Sequence, residues 1–569
     1  MDRVLWYVLR RLMVLFIGIM VILTAEFVIL RVAPDDPASL VPSTHTQEFD
    51  EVFNKSLLSQ YFDFIGDMFS GDYGYGEVLN SPISDRVYDA MWTTLTLFLG
   101  SLSACLLLGA LGGYLVFRMR THVSRQGLSI VSLALFSVPV LLSAYVTVRY
   151  LYYEWGLVPS PIERTTTTDI TAIATISLTF LGAFILIVRD GLILASAASC
   201  PDRPRIRDAL FVAMPKVQFM VAGLMLFIVP VEIMLMRPGI GSYFAVSFIH
   251  MDYFLLQATF FLMTIIVFFT NYALETIVTM VRPRRKLDMY LREDVAEAGT
   301  EALPGPKAAT VGGVRDALVG MSRDYLRSPV GVVSLAVLFG LVLLAVVGPT
   351  LTSDEVTISV EPSYTDLFLD GATALVAVSF IVGLLASVIG SALGLVAGLT
   401  RPYGDVVVAV LQGIMAIPTM CFLILPLLSY RLGSDYGYAD AALLISLPVT
   451  ALVAALTCHG VVSSRNRATP AASGPARHVP AVLSWTLAGL KYGVPMAVIV
   501  VFTCDFLGIT PFHSWGYAFD VAMNYGMYEE SSIWNWLLPA LATSLLVGSM
   551  FLVLDTFERV VRTRFAAHL

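Results

Sequence analysis

The sequence predicts an all-α polytopic membrane protein with two parallel six-helix repeats, about twelve transmembrane helices in all. Three observations predict it. Only 14% of the 569 residues are charged and 57% are hydrophobic, with a mean hydropathy of +0.78, whereas a soluble domain carries about 25% charged residues. The apolar residues collect into runs that cross about 30 Å of hydrocarbon as helices. These runs are too long for barrel strands, and backbone polar groups in lipid must be bonded internally. Finally, a polar segment at 282–328 divides the runs into two sets. It opens on Arg282, Arg284, Arg285 and Lys286 and carries Gly299, Pro304, Gly305, Pro306, Gly312 and Gly313. The expected organisation is a first membrane domain at 1–281, a cytoplasmic linker at 282–328 and a second membrane domain at 329–569.

The first run, Leu12–Leu30, follows Arg3, Arg10 and Arg11 and ends in RVAPDDP. A signal peptide would have a shorter apolar core and a small-residue cleavage site, so a retained helix with its N-terminus inside is expected. A long acidic outer loop occupies 32–92, with a short amphipathic helix at Leu57–Phe69 and a turn-rich GDYGYG at Gly71–Gly76. Five runs follow: Thr94–Phe117, Leu128–Leu151, Thr171–Val188, Val217–Met236 and Tyr253–Val281. Six more come after the linker: Val330–Pro349, Ala372–Leu399, Val406–Tyr430, Asp440–Val462, Leu490–Ile509 and Trp536–Thr556.

An even number of crossings returns the C-terminus to the cytoplasmic side. Most of the 35 lysines and arginines then fall inside, as the positive-inside rule requires. The halves also echo one another. Ser137-Val138-Pro139 pairs with Ala416-Ile417-Pro418, and Met214-Pro215 with Val494-Pro495, at nearly constant offset. Six helices per half give both halves the same orientation, a parallel repeat.

Several chemistries are excluded. No G-x-x-x-x-G-K-[ST] phosphate loop occurs, so ATP hydrolysis is not expected of this chain, and neither a nucleophile elbow nor an H-E-x-x-H motif is present. Seven scattered histidines and five scattered cysteines give no metal-ligand spacing. No catalytic residue, cofactor, metal or nucleic-acid partner is expected.

Trp6–Ala38, Gly71–Gly76, Ser137–Pro139, Trp155–Ser160 (WGLVPS) and above all Glu232–Gly241 (EIMLMRPGIG) resemble one permease subunit of peptide-type ABC importers, a family for dipeptides, oligopeptides and, in one branch, nickel complexes. Tyr325–Pro349 and Asp505–Gly516 (DFLGITPFHSWG) resemble the partner subunit, with Ser514-Trp515-Gly516 the most specific piece. The resemblance implies that two subunits, usually separate, are fused in one chain of the type I ABC importer transmembrane class. It further implies ABC ATPase subunits on the cytoplasmic side, an extracellular solute-binding protein, and peptides as cargo, in a multi-pass cell-membrane protein with both termini cytoplasmic. A secondary transporter with parallel repeats and a non-transporting permease-derived scaffold are the competing readings.

Two sets of site residues follow from the resemblance. The ATPase-coupling loops would hold Ser196, Ala197, Ala198, Arg203, Arg205, Arg207, Met214 and Pro215 in the first half. In the second half they would hold Ala471, Ala472, Gly474, Arg477 and Pro495. Both loops depart from the family's Glu-Ala-Ala pattern. The translocation path or outer gate would hold Glu232, Pro238, Gly239, Gly241, Asp505, Gly508, Ser514, Trp515 and Gly516. The second half has Val501 near the place of the expected acid, with Asp505 further on. Glu232 reads either as a pathway or gate residue or as a helix-end acid that is paired with Arg237 or protonated. For Arg149 and Asp555 the expectation is snorkelling to the nearby interface.

Overall fold

The computed structural model describes residues 54–119, 121–198, 206–250, 252–281, 314–351, 364–400, 437–467, 478–510, 513–526 and 533–564, with parts of 13–28 and 407–417. In chain order the helices are α1 (Leu57–Ser70), α2 (Ile83–Arg118), α3 (His122–Ser137), α4 (Val140–Val146, continued as a π-helix over Thr147–Glu154), α5 (Thr166–Ala198), α6 (Ile206–Met234), α7 (Ile240–His250) and α8 (Tyr253–Val281). Then come α9 (Val314–Leu326), α10 (Pro329–Leu351), α11 (Tyr364–Leu385, joined through a π-turn to α12, Ser391–Leu399), α13 (Tyr438–Arg467), α14 (Val479–Phe506), α15 (Trp515–Gly526) and α16 (Ile533–Arg564).

Among the described residues, nine helices are long and apolar enough to cross a membrane, or ten if the bent pair α3–α4 counts as one. The protein is thus an all-α, multi-pass membrane protein. Of the expected span Leu12–Leu30, residues 13, 16–24 and 26–28 are described and are helical, whereas Val406–Tyr430 lies largely outside the described residues.

The amphipathic helix and the turn expected in the outer loop are both present. Ser56 caps α1 and Gly71 ends it in the left-handed region at φ 77°, as C-terminal caps favour. A two-residue hairpin pairs Tyr75–Gly76 with Ser81–Pro82.

The third run is not one straight crossing. Pro139 has no N–H to give, and α3 and α4 meet there at 82°. The fifth crossing of each half begins well before its expected start, at Ile206 instead of Val217 and at Val479 instead of Leu490. Met214, Pro215 and Pro495 therefore lie inside α6 and α14, not in loops. Packed neighbours in a bundle stabilise a helix across the hydrogen bond a proline removes.

Burial separates central helices from peripheral ones. In α14, 94% of the membrane-length window is buried, and in α6 83%, against 17% in α10. Apolar side chains such as Val333, Phe339 and Val346 leave α10 facing outward, which suits lipid. The centre is the pair α6–α14, and its contacts give its direction. Lys216 lies over the Tyr492 ring at 5.0 Å. Further on, Gly223 packs on the Met496 methyl, and Phe227 shares a small apolar gap with Met496 and Ile499. Contacts advance together along both chains, so α6 and α14 run parallel.

Candidate functional site

Because α6 and α14 are parallel, their C-termini share one end of the molecule, and each ends on a buried acid. Glu232 is fully buried. It accepts hydrogen bonds from the Thr94 hydroxyl at 2.6 Å and the Ser242 N–H at 2.9 Å. Thr94 in turn accepts from the Ile240 N–H at 2.8 Å. α6 ends at Met234, Met236 turns the chain in the left-handed region at φ 50°, and beyond Pro238 α7 starts with an N–H directed at the carboxylate. An acid at a helix N-terminus satisfies donors that lack an intrahelical partner. A β-carbon at Gly239 would overlap the Glu232 carboxylate, which is why glycine stands there. Glu232 is not paired with Arg237, which instead bonds Asp169 at 3.1 Å and the Thr168 hydroxyl.

Asp505 does the same for α15. Its carboxylate accepts from the Thr510 hydroxyl at 2.6 Å, the Tyr517 N–H at 3.0 Å and the Ser514 N–H. Gly508 takes φ 68°, and Gly516 lies so close to the Phe502 carbonyl that a β-carbon would overlap it. The Trp515 indole N–H donates to the Phe368 carbonyl at 2.8 Å and its ring stacks on Phe368. The acid that looks displaced in sequence therefore occupies the equivalent structural role. Both carboxylates reach N–H groups of the next helix at about 3 Å, across eight residues from Glu232 to Ile240 and ten from Asp505 to Trp515.

Towards the other end, a network of buried charge joins the two halves. Lys491 of α14 lies 2.6 Å from Asp190 of α5, 3.0 Å from Asp555 and 2.7 Å from Glu558 of α16. Arg189 bonds Asp190 at 2.7 Å and approaches Asp555 at 3.7 Å. The Tyr492 hydroxyl donates to Asp190 at 2.9 Å. Arg562 pairs with Glu558 at 2.7 Å, and Arg559 with Asp555. Asp555 is 3% exposed, which corrects the expectation that it snorkels. Arg149 does match that expectation, half exposed and paired with Glu154 at 3.0 Å. Sequence reading passed over Asp190 and Lys491. The signal was available in Lys491, one of only five lysines and the only one inside a long apolar run of the second half.

Between the two ends the seam is dry and packed. Phe136, Thr179, Phe180 and Phe227 meet Met496 and Ile499 around a gap of about 10 Å³. Phe136 of α3 also meets the Phe551 ring of α16 edge-on at 6.3 Å.

The residues expected in coupling loops are not brought into one described surface. Ser196, Ala197 and Ala198 form the end of α5, and Arg207 lies in the first turn of α6. Arg203, Arg205, Ala471, Ala472, Gly474 and Arg477 lie outside the described residues. Among the described residues, no group of three or more His, Cys, Asp or Glu could hold a metal ion.

Parallel central helices, each followed by an acid-capped turn and surrounded by further apolar spans, make this a polytopic α-helical membrane protein. The chain is similar to the dipeptide transport system permease protein DppB of Lactococcus lactis subsp. cremoris, 25% identical over 302 residues that cover 49% of this chain and 99% of that protein. It is likewise similar to the oligopeptide transport system permease protein AppB of Bacillus subtilis, 23% identical over 310 residues, 49% of this chain and 98% of that one. No protein-family model matches the sequence.

Proposed function

We propose that this chain is the membrane-spanning component of an ABC importer for peptides, with two permease units, at 1–281 and 329–569, fused through the linker at 282–328. Energy comes from separate ATPase subunits on the cytoplasmic side, and an external solute-binding protein delivers the cargo. Both termini and the linker are cytoplasmic.

The observation that carries this reading is the parallel α6–α14 pair, in which each helix ends on a buried acid capping the next short helix. A whole permease relative accounts for about half of this chain, and the repeated acid-capped turn supplies the matching feature in each half. The route runs along the seam between α6 and α14. The Glu232 and Asp505 turns form its outer mouth, the aromatic layer its closed middle and the ion-pair network its inner closure. Opening requires relative motion of the halves, because the pairs Lys491–Asp190 and Arg189–Asp555 cross between them.

The test is uptake of labelled di- and oligopeptides into proteoliposomes holding this chain and its co-purified ATPases. ATP-dependent uptake that needs the binding protein is expected. Uptake driven by an ion gradient without ATP would make the chain a secondary transporter, and specific ATPase binding without any uptake would make it a scaffold.

A further inference from the structure

A second cavity of about 290 Å³ opens where the halves meet, between α3 and α5 on one side and α10, α14 and α16 on the other. Its floor is the ion-pair network, and three of its features bear on what it holds. The lining carries five cationic side chains against three carboxylates, so its charge is not balanced from within. Two of those cations, Arg125 and Arg559, stand at the rim. Arg125 is exposed and Arg559 is 60% exposed. Arg125 donates to the Met119 carbonyl at 2.7 Å, a bond that engages one of its five N–H donors. Beside this rim the wall is apolar and open outward, with Ile130 52% and Ile193 46% exposed.

The vertical order of these groups matters. Arg125 lies three residues from the start of α3 and Arg559 five from the end of α16. At 1.5 Å per residue they stand about 5–8 Å from the helix ends, the level of lipid headgroups. Ile130, eight residues into α3, stands deeper at about 12 Å, and Ile193, five residues from the end of α5, stands level with Arg559 with its apolar side chain open outward.

We propose that this crevice binds an anionic phospholipid, its phosphate against Arg125 and Arg559 and one acyl chain along Ile130 and Ile193. Basic pockets between spanning helices suit anionic headgroups, and the apolar wall selects a lipid over a soluble anion. The bound lipid bridges α3 of one half and α16 of the other next to the Lys491 network, so its presence biases the closed seam.

The test is thermal unfolding and native mass spectrometry of the purified full chain in detergent, titrated with phosphatidylglycerol or phosphatidylcholine. Phosphatidylglycerol is expected to raise the unfolding midpoint and to remain bound, and phosphatidylcholine to do neither. The double variant Arg125→Gln/Arg559→Gln loses the shift. Ile130→Trp, at an exposed position, fills the groove and loses it with every charge in place. Arg118→Gln, away from the cavity, keeps it. An equal response to phosphatidylcholine, or a full response in the double variant or in Ile130→Trp, overturns the proposal. A glycerophosphate that reproduces the whole shift overturns the lipid as its source.

Discussion

The two ends of the α6–α14 pair bury carboxylates by opposite means. At one end Glu232 and Asp505 are satisfied by hydroxyls and backbone N–H groups of their own half, and among the described residues neither forms an ion pair. At the other end Asp190, Asp555 and Glu558 are satisfied by cations, with Lys491 and Arg189 reaching across to the opposite half. The first arrangement holds a turn in one shape, since its donors are fixed backbone. The second can exist in two states, since a shift of one half against the other separates the pairs without unfolding either. Buried ion pairs are weak evidence for stability but costly to break from one side, which suits a joint that must stay closed until driven open.

The largest effect follows from that asymmetry. Lys491→Met leaves three carboxylates around an apolar side chain. Removing one partner of a buried pair costs about 3–5 kcal/mol, so a marked drop in thermal midpoint in detergent is expected. A near-neutral result would show that the network is hydrated or protonated and is no joint. Next come Glu232→Gln and Asp505→Asn. Each keeps its shape but turns an accepting oxygen into a donor facing N–H groups. A buried donor left unsatisfied costs about 1–3 kcal/mol, and a loss of that order is expected for each. Glu232→Gln should also loosen α2, because Thr94 is bonded to the acid and to α7 at once. Hydrogen exchange on α2 measures that, and unchanged protection there would remove the distinction between the two turns.

A titration sharpens the same comparison. Asp520 of α15 is half-buried, and burial, with a smaller contribution from the charge of Asp505, pushes its pKa up to about 6 against the hydrogen bond from Asn524. A carboxyl whose folded pKa lies above its unfolded value of about 3.9 binds its proton better in the folded state. Its favourable contribution is therefore full below about pH 4 and disappears as pH rises through about 6. The wild type should lose thermal stability at this site between about pH 4 and 6 and no further above about pH 7, and Asp520→Asn should flatten that slope. Identical slopes would place the pH dependence elsewhere.

Much of the fold was legible because lipid makes the pattern simple. Run length alone locates α2, α5, α8, α10, α13 and α16, and glycine chemistry locates the turn at Gly71. What failed was local. Pro215 and Pro495 look like helix starts but lie inside helices, because packing on both sides stabilises turns that sequence propensity disfavours. Asp505 looked out of register because an aligned count cannot see that a shorter acid and a longer turn reach the same helix end. The network was missed for a similar reason: Arg189 and Asp190 look like a charged pair at a helix end, and only folding brings them to Lys491, some 300 residues away in the chain.

The smallest effects sit in the two turns themselves, where the same backbone shape is met by different residues. Met236 takes φ 50° and Gly508 φ 68°. A left-handed residue other than glycine costs about 1–2 kcal/mol, whereas the unfolded-chain entropy gained on changing to glycine returns about 0.4–1 kcal/mol to the unfolded state. Met236 is 57% exposed, so little packing is lost on removing it. Met236→Gly should thus be neutral to stabilising by roughly 0.5–1 kcal/mol on that difference. Gly508 has open space around it, so Gly508→Ala meets no clash and should cost about 1 kcal/mol through its backbone alone. Opposite signs at the two positions, read from paired unfolding curves, would show one turn shape in both halves. Like signs would mean that the turn after Glu232 is shaped by α2 through Thr94, and that its likeness to the Asp505 turn ends at the carboxylate.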